Sequence, residues 1–224
     1  MGRRALSKVD PNLELSFHLR AVDQLPTPWD GKELFGQDRP LEVEMGSGKG
    51  LFLQNAALNN PNHNFLGVEV ARKYAHFTAA RLFKHGLNNA ISVYGDGLKL
   101  FRDLLPDDSL VAVHVYFPDP WWKRRHRNRR VLNEAFLADV VRTLKHQGRL
   151  HFWTDVKEYF DVTLKLIAEH TPLVGPLEVP QRPAEHDLDY RTHFERRTRM
   201  NEDPVYRAEF VKERVGSQKS TYSN

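Results

Sequence analysis

From Leu41 onward, segments with the apolar content of buried strands alternate with segments that have the periodicity of amphipathic helices. Strands are predicted at residues 41–45, 64–70, 91–94, 110–117 and 149–153. Because a helix placed between two strands lets the second run parallel to the first, this alternation is typical of a parallel sheet covered by helices. We therefore predict an α/β fold with a doubly wound, mostly parallel sheet.

The predicted helices lie between these strands. They are expected at about 51–58, in a segment that ends at Gly86, in an apolar stripe that ends at Gly148, and from about Val156 onward. Glycine commonly follows the last residue of a helix, which is why Gly86 and Gly148 are taken as helix ends.

The ends of the chain differ from its centre. Residues 1–40 are polar and punctuated by prolines, which predicts an N-terminal extension with a disordered tip. A single domain is expected over 41–212, followed by a flexible tail at 213–224. Within the domain, a linker with four prolines at 172–183 precedes a possible edge strand at about 205–211.

An acidic residue stands at or just after the end of every predicted strand. These residues are Glu44, Glu69, Asp96, Asp119 and Asp155. The carboxyl ends of parallel strands meet at one edge of the sheet, and doubly wound sheets bind their ligands there. One acid in such a position is ordinary, but acids at every strand end predict a binding site.

The turn after the first strand limits which cofactor can bind. Gly46-x-Gly48 lets the backbone approach a ligand closely, but the third glycine of a dinucleotide fingerprint would fall at Leu51. The turn does not match a phosphate-binding loop either, and Glu44 would repel a pyrophosphate. A cofactor with an ammonium, a sulfonium and a ribose fits better, which indicates S-adenosylmethionine. Glu69 is placed to accept from the ribose hydroxyls, and Asp96 could accept from the adenine amino group.

The fourth strand ends in an unusual loop, in which Asp119 lies between two prolines and is followed by Trp121 and Trp122. The prolines hold the acid rigidly at the strand end. The next residues are strongly basic, and the cations predicted to pair with phosphates are Lys123, Arg124, Arg125, Arg127, Arg129 and Arg130. An acid, ring faces and a cationic segment suit a nucleobase on a phosphate backbone. The alternative is a solvated surface loop with the tryptophans packed beneath it.

Composition excludes several other classes of protein. The chain of 224 residues has a net charge of only +4, so the informative feature is the local excess of cations after Asp119. There are no cysteines, which removes disulfides, thiol catalysis and thiolate metal sites, and no metal is predicted. Because no apolar run approaches the roughly 20 residues that span a bilayer, and no signal-peptide core is present, we expect a cytoplasmic protein without a membrane partner.

Several motifs resemble those of one known family. They are L-E-V-E-M-G-S-G at 41–48, F-L-G-V-E-V at 65–70, F-P-D-P-W-W-K-R-R-H-R-N-R-R at 117–130, Thr154-Asp155, and T-H-F-E at 192–195. With these motifs the chain resembles the bacterial tRNA (guanine-N7-)-methyltransferases from about residue 41 to the C-terminal region. The resemblance implies a Rossmann-like class I methyltransferase fold. It also implies methyl transfer from S-adenosylmethionine to N7 of a guanine in the tRNA variable loop, at tRNA position 46.

The resemblance also implies roles for individual residues. The cofactor would be held by Glu44, Gly46, Gly48, Glu69, Asp96 and Asp119, and Asp119 is the implied catalytic acid. Substrate and RNA would be contacted by Lys123, Arg125, His126, Arg127, Asn128, Arg129, Arg130, Asp155, Thr192, His193, Phe194 and Glu195. His193 departs from the lysine common in the family. The partner is tRNA, no obligate protein partner is implied, and both a monomer and a homodimer stay open.

The chemistry of N7 agrees with the residues of the loop. Guanine N7 attacks with an aromatic lone pair and releases no proton, so no general base is required. Asp119 is expected to accept from the N1–H and amino donors of the guanine and to offset the developing positive charge. Alternatives are a methyltransferase for base amino groups, which the tryptophan after Asp119-Pro120 disfavours, and an RNA-binding protein without a cofactor.

Three residues have structural interpretations as well. Asp155-x-x-Glu158 and Thr192-x-x-Glu195 both have the pattern of a capping box at a helix start. His114 lies in the middle of the fourth predicted strand and is expected to be a core histidine with its hydrogen bonds satisfied.

Overall fold

A computed structural model describes residues 6–121, 124–181, 183–186 and 189–213. In this part of the chain, strands form a single sheet in the order β1-β4-β3-β2-β5-β6-β8-β7. The strands are β1 Leu19–Ala21, β2 Leu41–Met45, β3 Asn64–Glu69, β4 Ala90–Tyr94, β5 Leu110–Tyr116, β6 Leu144–Thr154, β7 Val174–Leu177 and β8 Tyr206–Val211.

Helices connect these strands. They are α1 Gly31–Phe35, α2 Leu51–Asn59, α3 Arg72–Lys84, α4 Gly97–Lys99, α5 Glu134–Thr143, α6 Lys157–His170 and α7 His193–Met200. Shorter helical turns cover Val22–Gln24, Leu100–Leu104 and Arg124–Arg129. Among the described helices, none combines the length and the hydrophobicity that a membrane span requires.

The sheet confirms the predicted fold class. All neighbours from β1 to β6 pair in parallel, and only β8 and β7 add antiparallel pairs at one side. The chain runs outward from β2 through β3 to β4 and then returns to β5 on the other side of β2. The strand order therefore reverses between β2 and β5, which is the point at which such sheets bind ligands.

Two predictions near the last strands were wrong. The helix expected to end at Gly148 ends at Thr143, and β6 begins at Leu144. Leu144 continues the apolar stripe because it is buried as a strand residue. Gly148 lies inside β6, where a Cβ atom would come within 2.8 Å of the Lys145 carbonyl oxygen. A close approach of backbone, not a helix end, therefore explains this glycine.

The segment around 172–183 contains β7, which the sequence did not predict. Consequently β8 pairs with β6 on one side and β7 on the other, so the expectation that it forms the edge was wrong. β7 carries Gly175 and Pro176, and glycine and proline are tolerated mainly at sheet edges.

The segment before Leu41 contributes to the same sheet. Leu19 of β1 lies beside Ser92 of β4, and the side chains of Val22 and Phe35 are buried in the main core. The division of the chain at residues 41 and 213 stays a prediction, and the basic Arg3 and Arg4 lie outside the described residues.

A row of ionisable side chains crosses the sheet. Glu44, His114, His151 and Glu209 are register partners on β2, β5, β6 and β8. His114 is buried, and its Nε2 lies 2.7 Å from a Glu42 carboxylate oxygen. Its Nδ1 lies 2.9 Å from the Tyr116 hydroxyl. Because a carboxylate only accepts, Nε2 carries the proton and Nδ1 accepts from Tyr116. The expectation of a satisfied core histidine is confirmed.

Burial lowers the pKa of His114 to about 4, although the Glu42 carboxylate opposes the shift. His114 therefore stays unprotonated in the folded protein at pH values somewhat below 6.5, where the same residue is protonated in the unfolded chain. Stability from this group is complete above that pH and is lost as the pH falls toward 4. We expect the free energy of unfolding, measured with urea, to fall by about 2 kcal/mol from this group between about pH 7 and about pH 5.

The matched variants are His114→Gln and His146→Gln. Glutamine can still donate to Glu42 and accept from Tyr116 but does not titrate, so its unfolding free energy should lose that pH-dependent part. His146 is exposed, and its replacement should leave the pH dependence unchanged. Equal pH dependence in wild type and His114→Gln would contradict this assignment.

Candidate active site at the carboxyl ends of the strands

The turn after β2 is held open by its backbone. The amides of Gly46 and Ser47 both donate to the Val68 carbonyl of β3, at 2.8 and 3.1 Å. Gly46 and Gly48 have φ angles of 78° and 55°, a region that favours glycine. A Cβ atom added at Gly46 would meet nothing within 4 Å. The turn therefore faces open space rather than packed protein, as a ligand-binding turn must.

Glu69 fastens this turn to the end of β3. One carboxylate oxygen accepts from the Gly48 amide and the other from the Ala71 amide, each at 2.9 Å. An ionised carboxylate has roughly four acceptor positions, so each oxygen can accept one more hydrogen bond. Because the side chain is only partly buried, it can offer these positions to hydroxyl groups of a ligand.

Glu44 lies inside the protein next to the same turn. Its side chain is 3% exposed, and its Oε2 atom has no hydrogen-bond partner in the described structure. Burial and the nearby Glu69 carboxylate raise the pKa of Glu44 to about 8. A buried acceptor without a partner is costly unless a donor arrives with a ligand. A cationic group in the turn would supply that donor.

Asp96 follows β4 at the same edge of the sheet. It is exposed and caps α4, because its side chain accepts from the Leu98 amide at 2.9 Å. Exposed apolar side chains flank the acids of this half of the edge, namely Val70, Tyr94 and Leu98. Val70, which directly follows Glu69, is 75% exposed. No site residue was predicted at these three positions, although their places near Glu69 and Asp96 could have indicated them.

Asp119 lies in the turn after β5 and is exposed. The turn is conformationally strained, because Phe117 and Trp121 have φ angles of 50° and 44° without being glycine. It is anchored where it begins, since the Phe117 amide donates to the Trp153 carbonyl at 2.8 Å. The Phe117 ring also packs on Phe194 of α7, with ring centroids 4.8 Å apart.

Arg130 anchors the other end of this loop. It is 8% exposed, and its Nε donates to the Pro120 carbonyl at 2.8 Å. Its guanidinium lies 4.7 Å from the centre of the Tyr159 ring on α6. The structure therefore places Arg130 as a clamp on the Asp119 turn, and this arrangement disfavours the predicted phosphate contact.

The remaining cations surround Trp121. This tryptophan is half-buried, with its ring edge-on to His126 at 5.7 Å and 5.2 Å from the Arg129 guanidinium. Arg125 and Arg129 are exposed, as a phosphate contact requires. Only the backbone is described for Arg124, Arg127 and Asn128. The predicted site residue Lys123 and the neighbouring Trp122 lie outside the described residues.

Asp155 follows β6 and is half-buried. The capping-box interpretation of this residue was wrong, because α6 begins after Val156 without a side-chain cap. The Val156 amide instead donates to the Thr154 hydroxyl at 3.2 Å. Thr154 therefore shapes this turn, which leaves the Asp155 carboxylate at the strand end without a capping role.

Thr192 does cap α7, since its hydroxyl accepts from the Glu195 amide at 2.9 Å. Glu195 is 2% exposed and accepts from the Arg191 amide at 2.7 Å. Its carboxylate also pairs with Arg207 at 3.1 Å and Arg199 at 3.4 Å. Glu195 is thus the centre of a buried ion-pair cluster. This position favours a supporting role over the predicted direct contact with substrate.

Two groups of predicted residues emerge at this edge of the sheet. The glycine turn, Glu44, Glu69 and Asp96 lie at the ends of β2, β3 and β4. The Asp119 loop, Asp155 and the start of α7 lie beside the ends of β5 and β6. The first group offers carboxylates beside open backbone, and the second offers an acid surrounded by cations and rings. Within the described residues, no group of three or more His, Asp or Glu side chains could hold a metal ion.

A cavity of about 480 Å³ lies elsewhere, at the amino ends of the strands. It is lined by residues such as Trp29, Leu41, Asn64 and Ser109, and by none of the strand-end acids. The strand-end acids lie outside this cavity, so cavity size does not identify the candidate site.

The chain is similar in sequence to known methyltransferases. A family model described as "Putative methyltransferase" matches residues 38–208. A tRNA (guanine-N(7)-)-methyltransferase of Rhodopirellula baltica is 51% identical over 213 residues, which cover 92% of this chain and 79% of the relative. The enzyme of the same name from Legionella pneumophila strain Paris is 31% identical over 188 residues, covering 84% of this chain and 79% of the relative.

Solved structures support the fold. A SAM-dependent O-methyltransferase from Thermotoga maritima superposes with a TM-score of 0.52 at 16% identity, over 80% of this chain. This chain spans only 61% of the length of that protein. A 30S ribosomal A1408 methyltransferase from an uncultured bacterium gives a TM-score of 0.51 at 18% identity, over 80% of this chain and 91% of the other. At such identities the likeness concerns the Rossmann-like fold alone.

The clamp formed by Arg130 makes a prediction about stability. Arg130→Gln removes a charged donor from a partly buried carbonyl, so we expect the free energy of unfolding to fall by about 1–3 kcal/mol in urea titrations. Arg125→Gln, on the exposed side of the same loop, should change it by less than about 0.5 kcal/mol. Equal effects of the two variants would contradict the clamp.

Proposed function

We propose that this chain, which belongs to the tRNA (guanine-N(7)-)-methyltransferase family, methylates N7 of a guanine in the tRNA variable loop, at tRNA position 46. The methyl donor is S-adenosylmethionine. The observation that carries the proposal is the juxtaposition, at one sheet edge, of an open turn with a buried unpartnered carboxyl and a rigid acid within a basic loop. Family membership argues against the two alternatives, a base amino-group methyltransferase and an RNA-binding protein without a cofactor.

The first half of the edge suits the donor. S-adenosylmethionine supplies an electrophilic methyl group on a sulfonium, together with an ammonium, a ribose and an adenine. The unpartnered Oε2 of Glu44 fits a cationic group in the turn. Glu69 would accept from the ribose hydroxyls while keeping its bonds to the turn amides. Gly46 and Gly48 leave the space that the ligand needs.

The adenine end would lie between the outer strands. Asp96 would accept from the adenine amino group. The exposed Val70, Tyr94 and Leu98 offer apolar surface for the faces of the ring. Single exposed apolar side chains are common, but three of them near two acids suit a flat ligand with apolar faces and polar edges.

The second half of the edge suits the guanine. Attack by N7 releases no proton, so the chain needs to position the base and stabilise positive charge rather than remove a proton. Asp119 would accept from the N1–H and amino group of guanine and face the charge that develops on the ring. Such charge-assisted bonds contribute about 1.5–3 kcal/mol. The strained and clamped turn keeps this carboxylate at the strand end before the base arrives.

The RNA backbone would contact the cations that remain exposed. Arg125 and Arg129 are available in the described structure, and Lys123, Arg127, His126 and Asn128 belong to the same proposed contact. Asp155 and the start of α7, with Thr192, His193 and Phe194, would border the substrate on the other side of Asp119. Glu195 would act indirectly by fixing the start of α7.

The function is tested by mapping the product. An unmodified tRNA transcript is incubated with the protein and methyl-labelled S-adenosylmethionine, and reduction followed by aniline cleavage locates N7-methylguanosine. We expect cleavage at the variable-loop guanine and none in a transcript that carries adenine there. Label at another nucleotide, or label that does not sensitise the chain to aniline, would overturn the proposal.

The same assay tests Asp119. Asp119→Asn removes the charge but keeps the size, so turnover should fall by about 10- to 100-fold, as expected for the loss of a charge-assisted bond. Turnover near the wild-type rate would remove Asp119 from the mechanism without affecting the proposed product.

Glu44 should report donor binding through its proton. With a pKa raised to about 8, the carboxyl is mostly protonated at about pH 7, and a cationic ligand beside it favours ionisation. We expect calorimetry in buffers of different ionisation enthalpy to show release of close to one proton per S-adenosylmethionine bound. Affinity should rise as the pH increases through about 8.

Glu44→Gln should bind the donor more weakly and release no proton. Asp96→Asn is the matched control, since its carboxylate is exposed, and it should weaken binding while proton release persists. Unchanged proton release in Glu44→Gln would assign the proton to another group.

A further inference from the structure

α3 carries an uncompensated stripe of positive charge. Within Arg72–Lys84 there are four Lys or Arg residues and no acid. Lys73, Arg81 and Lys84 are spaced by eight and three residues, so they share one side of the helix with Phe77. The stripe runs about 16 Å along the helix. The opposite side, with Ala75, packs against the sheet.

α7 continues this surface toward the Asp119 loop. The Arg81 guanidinium lies 3.2 Å from His193 Nε2, which places the two helices side by side. Arg197 of α7 is exposed. The acid of this helix, Glu195, is buried and neutralised by Arg199 and Arg207, so it does not offset the outward charge.

Aromatic rings are interleaved with these cations. Lys73 lies over the ring of Tyr74 at 5.3 Å, Arg81 over Phe77 at 5.6 Å, and Arg197 over Phe194 at 4.4 Å. Cations that follow a backbone and ring faces that accept bases are the combination found on nucleic-acid surfaces. The rings also hold the cations in place without neutralising them.

The helix on the other face of the sheet shows that this pattern is not general. On α6, Lys157 pairs with Asp161 and Lys165 with Glu169, each four residues further along. Such pairs stabilise a solvated helix and leave little net charge. α3 has no acid for this purpose, so its charge is available to an external anion.

We propose that α3 and the exposed side of α7 form a second phosphate-binding surface, which holds the tRNA body outside the loop that is methylated. The inference rests on the proposed function, because it takes the same tRNA as its ligand. The surface meets the site at both ends: α3 begins just beyond Glu69, and Phe194 of α7 contacts Phe117 beside Asp119. A tRNA whose guanine reaches Asp119 would therefore lie across it. We expect this surface to contribute to affinity and salt dependence rather than to the chemical step.

The test replaces three exposed cations of α3 in one variant: Lys73→Gln and Lys84→Gln from the stripe, and Arg72→Gln at the helix start. The control variant carries Lys32→Gln, Lys145→Gln and Lys165→Gln, which are exposed on other surfaces and change the net charge equally. tRNA affinity is measured by filter binding over a range of salt concentrations, and kcat is measured at saturating tRNA. For the α3 variant, the slope of log affinity against log salt concentration should be less steep by about three, one for each phosphate contact removed. Its Kd should be weaker by about tenfold or more, with kcat unchanged.

Equal slopes for the α3 variant and the control would overturn the inference. The inference would also be overturned if the α3 variant kept wild-type tRNA binding but lost heparin binding, since the surface would then bind another polyanion. Lys84→Gln alone, three turns from the site, should still lower the slope by about one, which separates a lost contact from a folding defect. If the wild type methylates tRNA and the variants do not differ, only this surface fails. If the wild type methylates no tRNA, the proposed function fails first.

Discussion

The two hydrogen bonds that Glu69 accepts hold the candidate site together. Each carboxylate oxygen takes one backbone amide, and the two amides belong to the turns that follow β2 and β3. The glycine turn is thereby fixed to the neighbouring strand while its outer side stays free. The negative charge that secures the turn also makes a second charge beside it unfavourable. Burial and this repulsion together raise the pKa of Glu44, and a cationic ligand relieves the repulsion.

In the other half of the edge, the Asp119 carboxylate has to be held at a strand end within a run of cations. Two prolines restrict the turn, the Phe117 amide fixes its start, and Arg130 fixes its end through Pro120. Left-handed backbone at Phe117 and Trp121 is unfavourable, and these anchors offset its cost. Guanine would therefore meet a carboxylate that is already in position, so little ordering entropy opposes binding.

Much of this arrangement could be predicted from the sequence, because it depends on local patterns. Apolar runs and helical periodicity located the strands from β2 to β6, and parallel pairing then brought their terminal acids to one edge. β1 and β7 were missed because they are short and are defined by pairing with distant strands. The end of α5 was misplaced because Leu144 is apolar in either a helix or a strand.

The roles of individual arginines could not be predicted either, because they depend on contacts between different segments of the chain. The sequence of the basic loop does not distinguish Arg130 from Arg129, and only the packing of Tyr159 and Pro120 turns Arg130 inward. Glu195 was expected at the substrate from its T-H-F-E motif. Its burial could not be predicted, because it depends on pairing with Arg207 of β8. A local motif gives the type of a side chain, whereas its direction depends on contacts between distant segments.

That distinction also explains how a chain with 33 Lys and Arg against 29 Asp and Glu can present a strongly basic surface. Arg207 pairs with the buried Glu195. Arg142 donates to two backbone carbonyls and pairs with two acids. Lys157 and Lys165 are paired along α6. Among the described side chains, Arg72, Lys73 and Lys84 on α3 and Arg125 and Arg129 in the basic loop are exposed. Net charge is therefore a poor guide to polyanion binding, since the field at the surface depends on which charges the fold neutralises inside.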